Sequence, residues 1–288
     1  MRRVSSETKL CGVIGDPIEH SLSPVMHNAA FEALNLDYVY LAFRVKKEDL
    51  RKSIDGIRGM NFVGVNVTIP HKVNVLPLLD WLDPVAEAIG AVNTIHNQDG
   101  ELLGYNTDGV GALKALKGRA ALRRKRIVIL GAGGAARALA FYLAKECDEI
   151  TILNRTGDRA ASLAKDLTNR KLGAVVLGLP LNQENLRQSL ATADILINAT
   201  SVGMFPRIND TLVPSQFLSP SLVTFDIVYN PPKTKLLSDA EAKGATAISG
   251  VEMFVNQGAL SFEIWTGKEA PTEIMRKVVI TELRKLLK

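Results

Sequence analysis

The order of apolar and polar positions divides the chain into short strands alternating with longer helices. Lys9–Gly15 reads as a strand closing on a Gly-Asp-Pro turn, and Val25–Leu34 repeats its apolar residues at helical spacing. Tyr38–Arg44 alternates like a half-buried strand, and Lys47–Ile57 reads as an amphipathic helix. Phe62–Val67 is another strand, and the stretch after Lys72 reads as a helix through Trp81. Ala91–His96 and Glu101–Tyr105, around Gln98-Asp99-Gly100, make a hairpin candidate. Asn106-Thr107-Asp108-Gly109 then opens a helix, Val110–Leu116, leading to Gly118.

From there the pattern changes to buried strands with helices between them. Arg126–Leu130 is a short β-branched run, followed at once by Gly131-Ala132-Gly133-Gly134-Ala135-Ala136, a helix through Lys145 and a second strand, Glu149–Leu153. A polar helix, Val175–Leu179, Gln183–Ala191, Asp194–Asn198, Val223–Val228 and Thr246–Ser249 continue the series. Two helices, about Glu252–Trp265 and Pro271–Leu287, close it. Such alternation predicts an α/β chain with a parallel sheet wound on both faces, preceded by an α/β portion with its own sheet. In sheets of this kind ligands lie beyond the carboxyl ends of the strands. Asn66–Lys72, Thr200–Met204 and Tyr229 all follow strand ends.

The glycine segment has the G-x-G-x-x-G/A spacing in the strand–turn–helix context that a dinucleotide site requires. One glycine makes the tight turn, one lets a pyrophosphate approach the backbone, and a small residue lets helix and strand pack closely. The helix N-terminus offers unpaired N–H groups to the phosphates. An NAD site usually carries an acid at the end of the second strand, but this chain has Asn154-Arg155-Thr156. A guanidinium suits a 2′-phosphate, and Arg159 one turn on could join it, so the expected cofactor is NADP(H). The plainer alternative makes Thr156 a helix cap and leaves the arginines solvated.

Composition narrows the classes. A chain of 288 residues that is 47% hydrophobic can bury the cores of two domains. Cys11 and Cys147, its only cysteines, make neither a disulfide framework nor a metal cluster, and no metal is expected. The first residues lack a signal peptide's apolar stretch and no apolar run is of membrane-spanning length, so a cytoplasmic protein without membrane association is expected. The net charge is +5, with its densest run at Arg119, Arg123, Arg124, Lys125 and Arg126. No aromatic interleaving accompanies that run, which argues for a solvated lead-in to a strand and against nucleic acid.

Hydride transfer to a ketone leaves an alkoxide that needs a proton from a placed donor. Lys72, just past a strand end, is the candidate donor, with a surface lysine as the alternative. Asp108 is its candidate partner, with a helix cap as the alternative. Ser23 before Pro24 reads as an N-cap. His71 would point away from Lys72 on a helix, and His20, His27 and His96 have no metal-ligand spacing.

Several longer motifs occur in one order: Ser21-Leu22-Ser23-Pro24, Asn66-Val67-Thr68-Ile69-Pro70-His71-Lys72, Gly90-Ala91-Val92-Asn93-Thr94 and Asn106-Thr107-Asp108. Gly131 through Arg137, Asn154-Arg155-Thr156, Asn198 through Met204 and Asp226 through Leu237 follow, then Gln257 before Trp265-Thr266-Gly267. Over nearly its whole length the chain resembles the shikimate dehydrogenase family, departing in small packing positions such as Phe254 and Gly258. The resemblance implies reversible NADP-dependent reduction of 3-dehydroshikimate to shikimate, in the route to the aromatic amino acids. It implies Lys72 and Asp108 as the catalytic pair and Ser21 and Ser23 as binders of the substrate carboxylate, with Tyr229 nearby. Asn66, Thr68, Asn93, Asp108 and Gln257 would hold the ring hydroxyls, with Lys72 also touching the substrate. Gly131, Ala132, Gly133, Gly134, Ala135, Asn154, Arg155, Thr156 and Arg159 would bind the phosphates and adenosine end of NADP, and Thr200, Ser201, Gly250 and Met253 would lie toward the nicotinamide. It further implies a Rossmann-type NADP domain over 110–250 inserted in a discontinuous substrate domain, 1–109 plus 251–288, with its own mainly parallel sheet. Which of Lys72 and Asp108 gives the proton is left open, as is oligomeric state, a homodimer among the options. Two other readings stand beside this one: an NAD-using quinate/shikimate dehydrogenase, and a non-catalytic NADP-binding module.

Overall fold

The computed structural model describes residues 4–286, which fall into two compact units. The first takes residues 4–107 and returns for Val255–Leu286; the second is Asp108–Phe254.

The first unit opens with β1 (Lys9–Gly15), α1 (Ser23–Ala33), β2 (Tyr38–Arg44), α2 (Leu50–Gly59) and β3 (Gly64–Val67). It continues through β4 (Trp81–Leu82), α3 (Pro84–Ile89), β5 (Thr94–Gln98) and β6 (Glu101–Tyr105). Its six strands run in the order β2-β1-β3-β5-β6-β4. The pairings β1–β2, β1–β3 and β4–β6 are parallel, while β3–β5 and β5–β6 are antiparallel. The expected hairpin is β5–β6, turning on Asp99 and Gly100 with φ of 53° and 92°, the pair of positive values that two-residue hairpin turns favour. Ile14, Ile54, Val65, Ile95 and Leu102 centre its core.

The second unit holds α4 (Asp108–Lys117), β7 (Arg126–Leu130), α5 (Gly134–Leu143), β8 (Glu149–Asn154), α6 (Gly157–Asn169) and β9 (Val175–Pro180). After α7 (Gln183–Leu190) come β10 (Ile195–Asn198), β11 (Val223–Asp226), α8 (Lys235–Ala242) and β12 (Thr246–Ser249). All its strands are parallel, in the order β12-β11-β10-β7-β8-β9. This is the doubly wound dinucleotide-binding order, with its switch point between β7 and β10. The strands are buried on both faces and read as continuous apolar runs, as such sheets require. The chain closes with α9 (Gly250–Thr266), which belongs to the first unit from Val255 on, and α10 (Thr272–Leu286), which packs on α1.

Three local expectations are corrected. No helix runs from Lys72 to Trp81: residues 72–75 turn, Leu76–Leu78 make a single 3-10 turn, and the chain then extends into β4. Pro77 lacks the amide a helix would use, and Val75, Leu76, Leu78 and Leu79 all pack on the first unit's core instead of sharing a helical stripe. The helix expected over Lys47–Ile57 begins as a 3-10 turn, with α2 proper starting at Leu50. Ser23 is already the first helical residue and caps nothing through its side chain. Ser21 does that work, its Oγ accepting from the Ser23 N–H at 3.3 Å. Residues 287 and 288, to which the last expected helix extended, lie outside the described residues.

Candidate active site

In the first unit the residues expected to hold a polyol ring are joined by hydrogen bonds. β3 and β5 pair with Asn66 opposite Thr94, which sets the Asn66 side chain beside the start of β5. Its Nδ2 donates to the Asn93 carbonyl oxygen at 3.1 Å, to Thr94 Oγ1 at 3.2 Å and to Ser261 Oγ at 2.9 Å. Its Oδ1 accepts from the Tyr40 hydroxyl at 2.7 Å. Asn93 takes hold of the next loop: its Oδ1 accepts from the Thr107 N–H at 2.7 Å, and its Nδ2 donates to Thr107 Oγ1 at 2.8 Å and to Gln257 Oε1 at 3.3 Å. Asn66, Asn93, Thr94 and Thr107 are all buried. A buried polar group must be paired, and this cluster pairs its members with one another and holds no ionised group.

Gln257, Ser261 and Trp265 lie four residues apart on α9 and each bonds to the sheet or its edge. Gln257 meets Asn93, Ser261 meets Asn66 and Thr94, and the Trp265 indole N–H donates to the Ile95 carbonyl at 2.9 Å. The indole fits because residue 64 is glycine: a Cβ there would run into the Trp265 ring and meet the Ile95 carbonyl oxygen at 2.5 Å. Behind Tyr40 the His27 ring is stacked, with centroids 4.5 Å apart. Burial holds His27 neutral and pushes it from the ordinary 6.5 down to about 3.

Lys72 is half-buried in the turn after β3, its backbone carbonyl accepting from the Val92 N–H at 2.8 Å. Its neighbour His71 is turned inward, with Nε2 2.6 Å from the Val45 carbonyl oxygen. Thr68 is half-buried directly after β3, its N–H bonded to the Ile14 carbonyl at 3.0 Å. Asp108 directly follows Thr107 and is the first residue of α4, buried at the helix end where the backbone dipole favours a carboxylate.

The second unit assembles the expected nucleotide residues at the switch point. Gly131 has φ of +108°, a value only glycine takes without strain, and a Cβ there would meet the Ala199 carbonyl oxygen at 3.0 Å. Above Gly133, at the start of α5, an added Cβ would meet nothing within 4 Å. A tight glycine, an open glycine and a helix N-terminus together fit a pyrophosphate. At the end of β8 Asn154 Nδ2 donates to the Thr156 carbonyl at 2.9 Å. Arg155 and Arg159 are exposed, and neither guanidinium has a carboxylate partner among the described residues. Thr156 stands at the cap position of α6 but makes no side-chain capping bond, so the plain capping alternative fails on geometry.

Thr200 has a structural task as well as its expected one: its hydroxyl donates to Asn198 Oδ1 at 2.7 Å and accepts from the Val202 N–H at 3.1 Å. Ser201 is exposed in that loop. Asn198 in turn donates to Asp226 Oδ1 at 2.9 Å, and Thr234 donates to Asp226 Oδ2 at 2.7 Å. Burial raises the Asp226 carboxyl from 3.8 to about 6, against the lowering effect of those donors. Tyr229 lies in this unit, stacked on Phe254 at 4.1 Å between centroids. Gly250 packs where a Cβ would strike the Ile227 and Val228 carbonyls, and Met253 is buried beside it on α9.

Sequence reasoning missed Tyr40, Ser261 and Thr107 as parts of the site and the Asn198–Asp226–Thr234 network beneath the second loop. The four-residue spacing of Gln257, Ser261 and Trp265 was the available signal for Ser261. Hydroxyls and aromatics inside a core carry no comparable mark.

Known proteins resemble the chain from end to end. A shikimate dehydrogenase (NADP(+)) of Methanopyrus kandleri is 51% identical over 285 residues, covering 98% of both chains. The chain belongs to the shikimate dehydrogenase family. Shikimate dehydrogenase domain profiles match in three places: the substrate binding domain at 13–95, the shikimate/quinate 5-dehydrogenase domain at 113–231 and the C-terminal domain at 250–280. Among solved structures, a shikimate dehydrogenase in complex with NADP+ superposes with a TM-score of 0.90 at 45% identity, covering 98% of each chain. The shikimate 5-dehydrogenase of Listeria monocytogenes, in complex with shikimate and NAD, gives 0.86 at 43% identity, covering 97% of this chain and 99% of that one.

Proposed function

We propose that the chain catalyses the reversible NADP-dependent interconversion of shikimate and 3-dehydroshikimate, as the relatives' printed name describes. The observation that carries this reading is the buried cluster of carboxamides and hydroxyls around Asn66, Asn93 and Gln257. It suits a neutral ring bearing hydroxyls, because each site group left unpaired by a wrong ligand is penalised.

In this reading the first unit binds the substrate. The Ser21 and Ser23 hydroxyls take the carboxylate, Tyr229 contributes from the second unit, and Asn66, Thr68, Asn93, Asp108 and Gln257 take the ring hydroxyls. The second unit binds NADP, with Gly131–Ala135 at the pyrophosphate, Asn154, Arg155, Thr156 and Arg159 at the phosphorylated adenosine end, and Thr200, Ser201, Gly250 and Met253 toward the nicotinamide. When bound, the nicotinamide supplies the hydride for reduction and accepts it for oxidation. Lys72 and Asp108 manage the proton at the reacting oxygen, giving it as the carbonyl becomes an alcohol and taking it in reverse. The residues around the ring orient that oxygen and exclude water.

The test is a set of initial rates with shikimate and quinate against NADP and NAD, read from nicotinamide absorbance. The largest kcat/KM is expected for shikimate with NADP. The Listeria structure with NAD makes the NAD arm necessary. Preference for NAD or for quinate would move the chain to the alternative specificity, and no turnover with any pair would leave a binding module.

A further inference from the structure

Ser261 contacts both carboxamides' surroundings at once, and the bonds leave its hydroxyl no freedom. It is wholly buried. Its proton goes to the Gln257 carbonyl oxygen, 3.1 Å away and one turn back on α9. With that proton committed, its two lone pairs face donors: Asn66 Nδ2 at 2.9 Å and the Thr94 hydroxyl at 2.8 Å. Thr107 Oγ1 stands 3.4 Å away at the margin of the same group.

The orientation of the Asn66 carboxamide follows from its neighbours. The Asn93 carbonyl oxygen can only accept, so the Asn66 NH2 must face it, and the oxygen must face the Tyr40 hydroxyl. Both amide hydrogens are then engaged inside the protein. What Asn66 can still offer a ligand is the second lone pair of Oδ1, aimed by Tyr40 on one side and by Ser261 on the other.

We infer that Ser261 is a positioning residue for substrate: with Tyr40 it clamps the Asn66 carboxamide in the orientation that meets a ring hydroxyl. It does so from the C-terminal helix, on the same face that brings Gln257 to Asn93. The inference rests on the proposed function, in which Asn66 binds the shikimate ring. Ser261 touches no substrate and moves no proton of the reaction, so its loss should appear in substrate KM and not in the chemical step.

The experiment is Ser261→Ala in the full chain, assayed by steady-state kinetics with shikimate and NADP after a thermal melt has established folding. The shikimate KM should rise about three- to tenfold, the value of one hydrogen bond, with kcat and the NADP KM within about twofold. In an Asn66→Ala background the same substitution should change the shikimate KM little, since the group it orients is gone. Tyr40→Phe, which removes the opposite clamp and preserves the ring, should raise the shikimate KM in the same manner and serves as the arm if Ser261→Ala fails to fold. An unchanged KM in the folded variants, a drop in kcat alone, or full additivity with Asn66→Ala would overturn the inference. An unsubstituted chain that does not oxidise shikimate would overturn the functional reading, and this inference with it, so the two failures are distinguishable.

Discussion

Arg155 and Arg159 are placed where a cation is poorly accommodated. Arg159 lies in the first turn of α6, where the helix dipole presents positive charge, and Arg155 stands exposed just before it. Two guanidiniums without a carboxylate partner at that point suit a dianionic phosphate. Arg155→Asp should therefore weaken NADP by roughly tenfold to a hundredfold, the value of about 1.5–3 kcal/mol for a charge-assisted contact. NAD, which has no 2′-phosphate, should be affected much less. Equal losses in KM for the two cofactors would remove Arg155 from the role. This pair was legible because the missing acid at the end of β8 is a departure that sequence alone displays. Ser23 was misread because capping depends on where the helix backbone begins, and Leu22, not Ser23, occupies the cap. Ser261 escaped notice because a serine inside an apolar helix has no spacing that distinguishes a clamp from filler.

Strand–turn–helix units announce themselves by period, and β7, β8, β10 and β11 fall where their apolar runs put them. The segment 72–82 did not, since its leucines follow core contacts around Pro77 and not a helical stripe. Long-range fits are equally silent in sequence. The contact of α9 with β3 through Trp265 and Gly64 joins residues about two hundred positions apart, and nothing local marks it. Gly64→Ala should accordingly destabilise the first unit by about 1–3 kcal/mol, because the added methyl meets a backbone oxygen that cannot rotate away. Urea unfolding would measure the loss, and NADP affinity should remain as in the parent. A variant as stable as the parent would mean that α9 shifts to make room at little expense.

The two units carry buried titratable groups of opposite sign. His27 in the first is depressed to about 3, so the folded state stays neutral while the unfolded chain takes up a proton below about 6.5. Its stabilising effect is present above 6.5 and is lost progressively as pH falls toward 3. Asp226 in the second is raised to about 6 from 3.8, so its contribution is present below 3.8 and is lost as pH rises through 6. Acidification from about pH 7 to about pH 4.5 should weaken the first unit, on the order of 2 kcal/mol from His27, while Asp226 opposes the trend in the second. Both tryptophans, Trp81 and Trp265, lie in the first unit, so their fluorescence reports on it alone, whereas circular dichroism reports on both. The urea midpoint by fluorescence should fall further than that by circular dichroism, and His27→Phe should flatten the difference. Midpoints that move together would contradict this division. The return of Val255–Leu286 to the first unit also bears on how the chain is made. During synthesis, the six strands of the first sheet emerge from the ribosome well before Gln257, Ser261 and Trp265 do. The inserted unit, contiguous in the nascent chain, can fold as soon as it is complete, while the segment translated earliest must wait for its last-made helices.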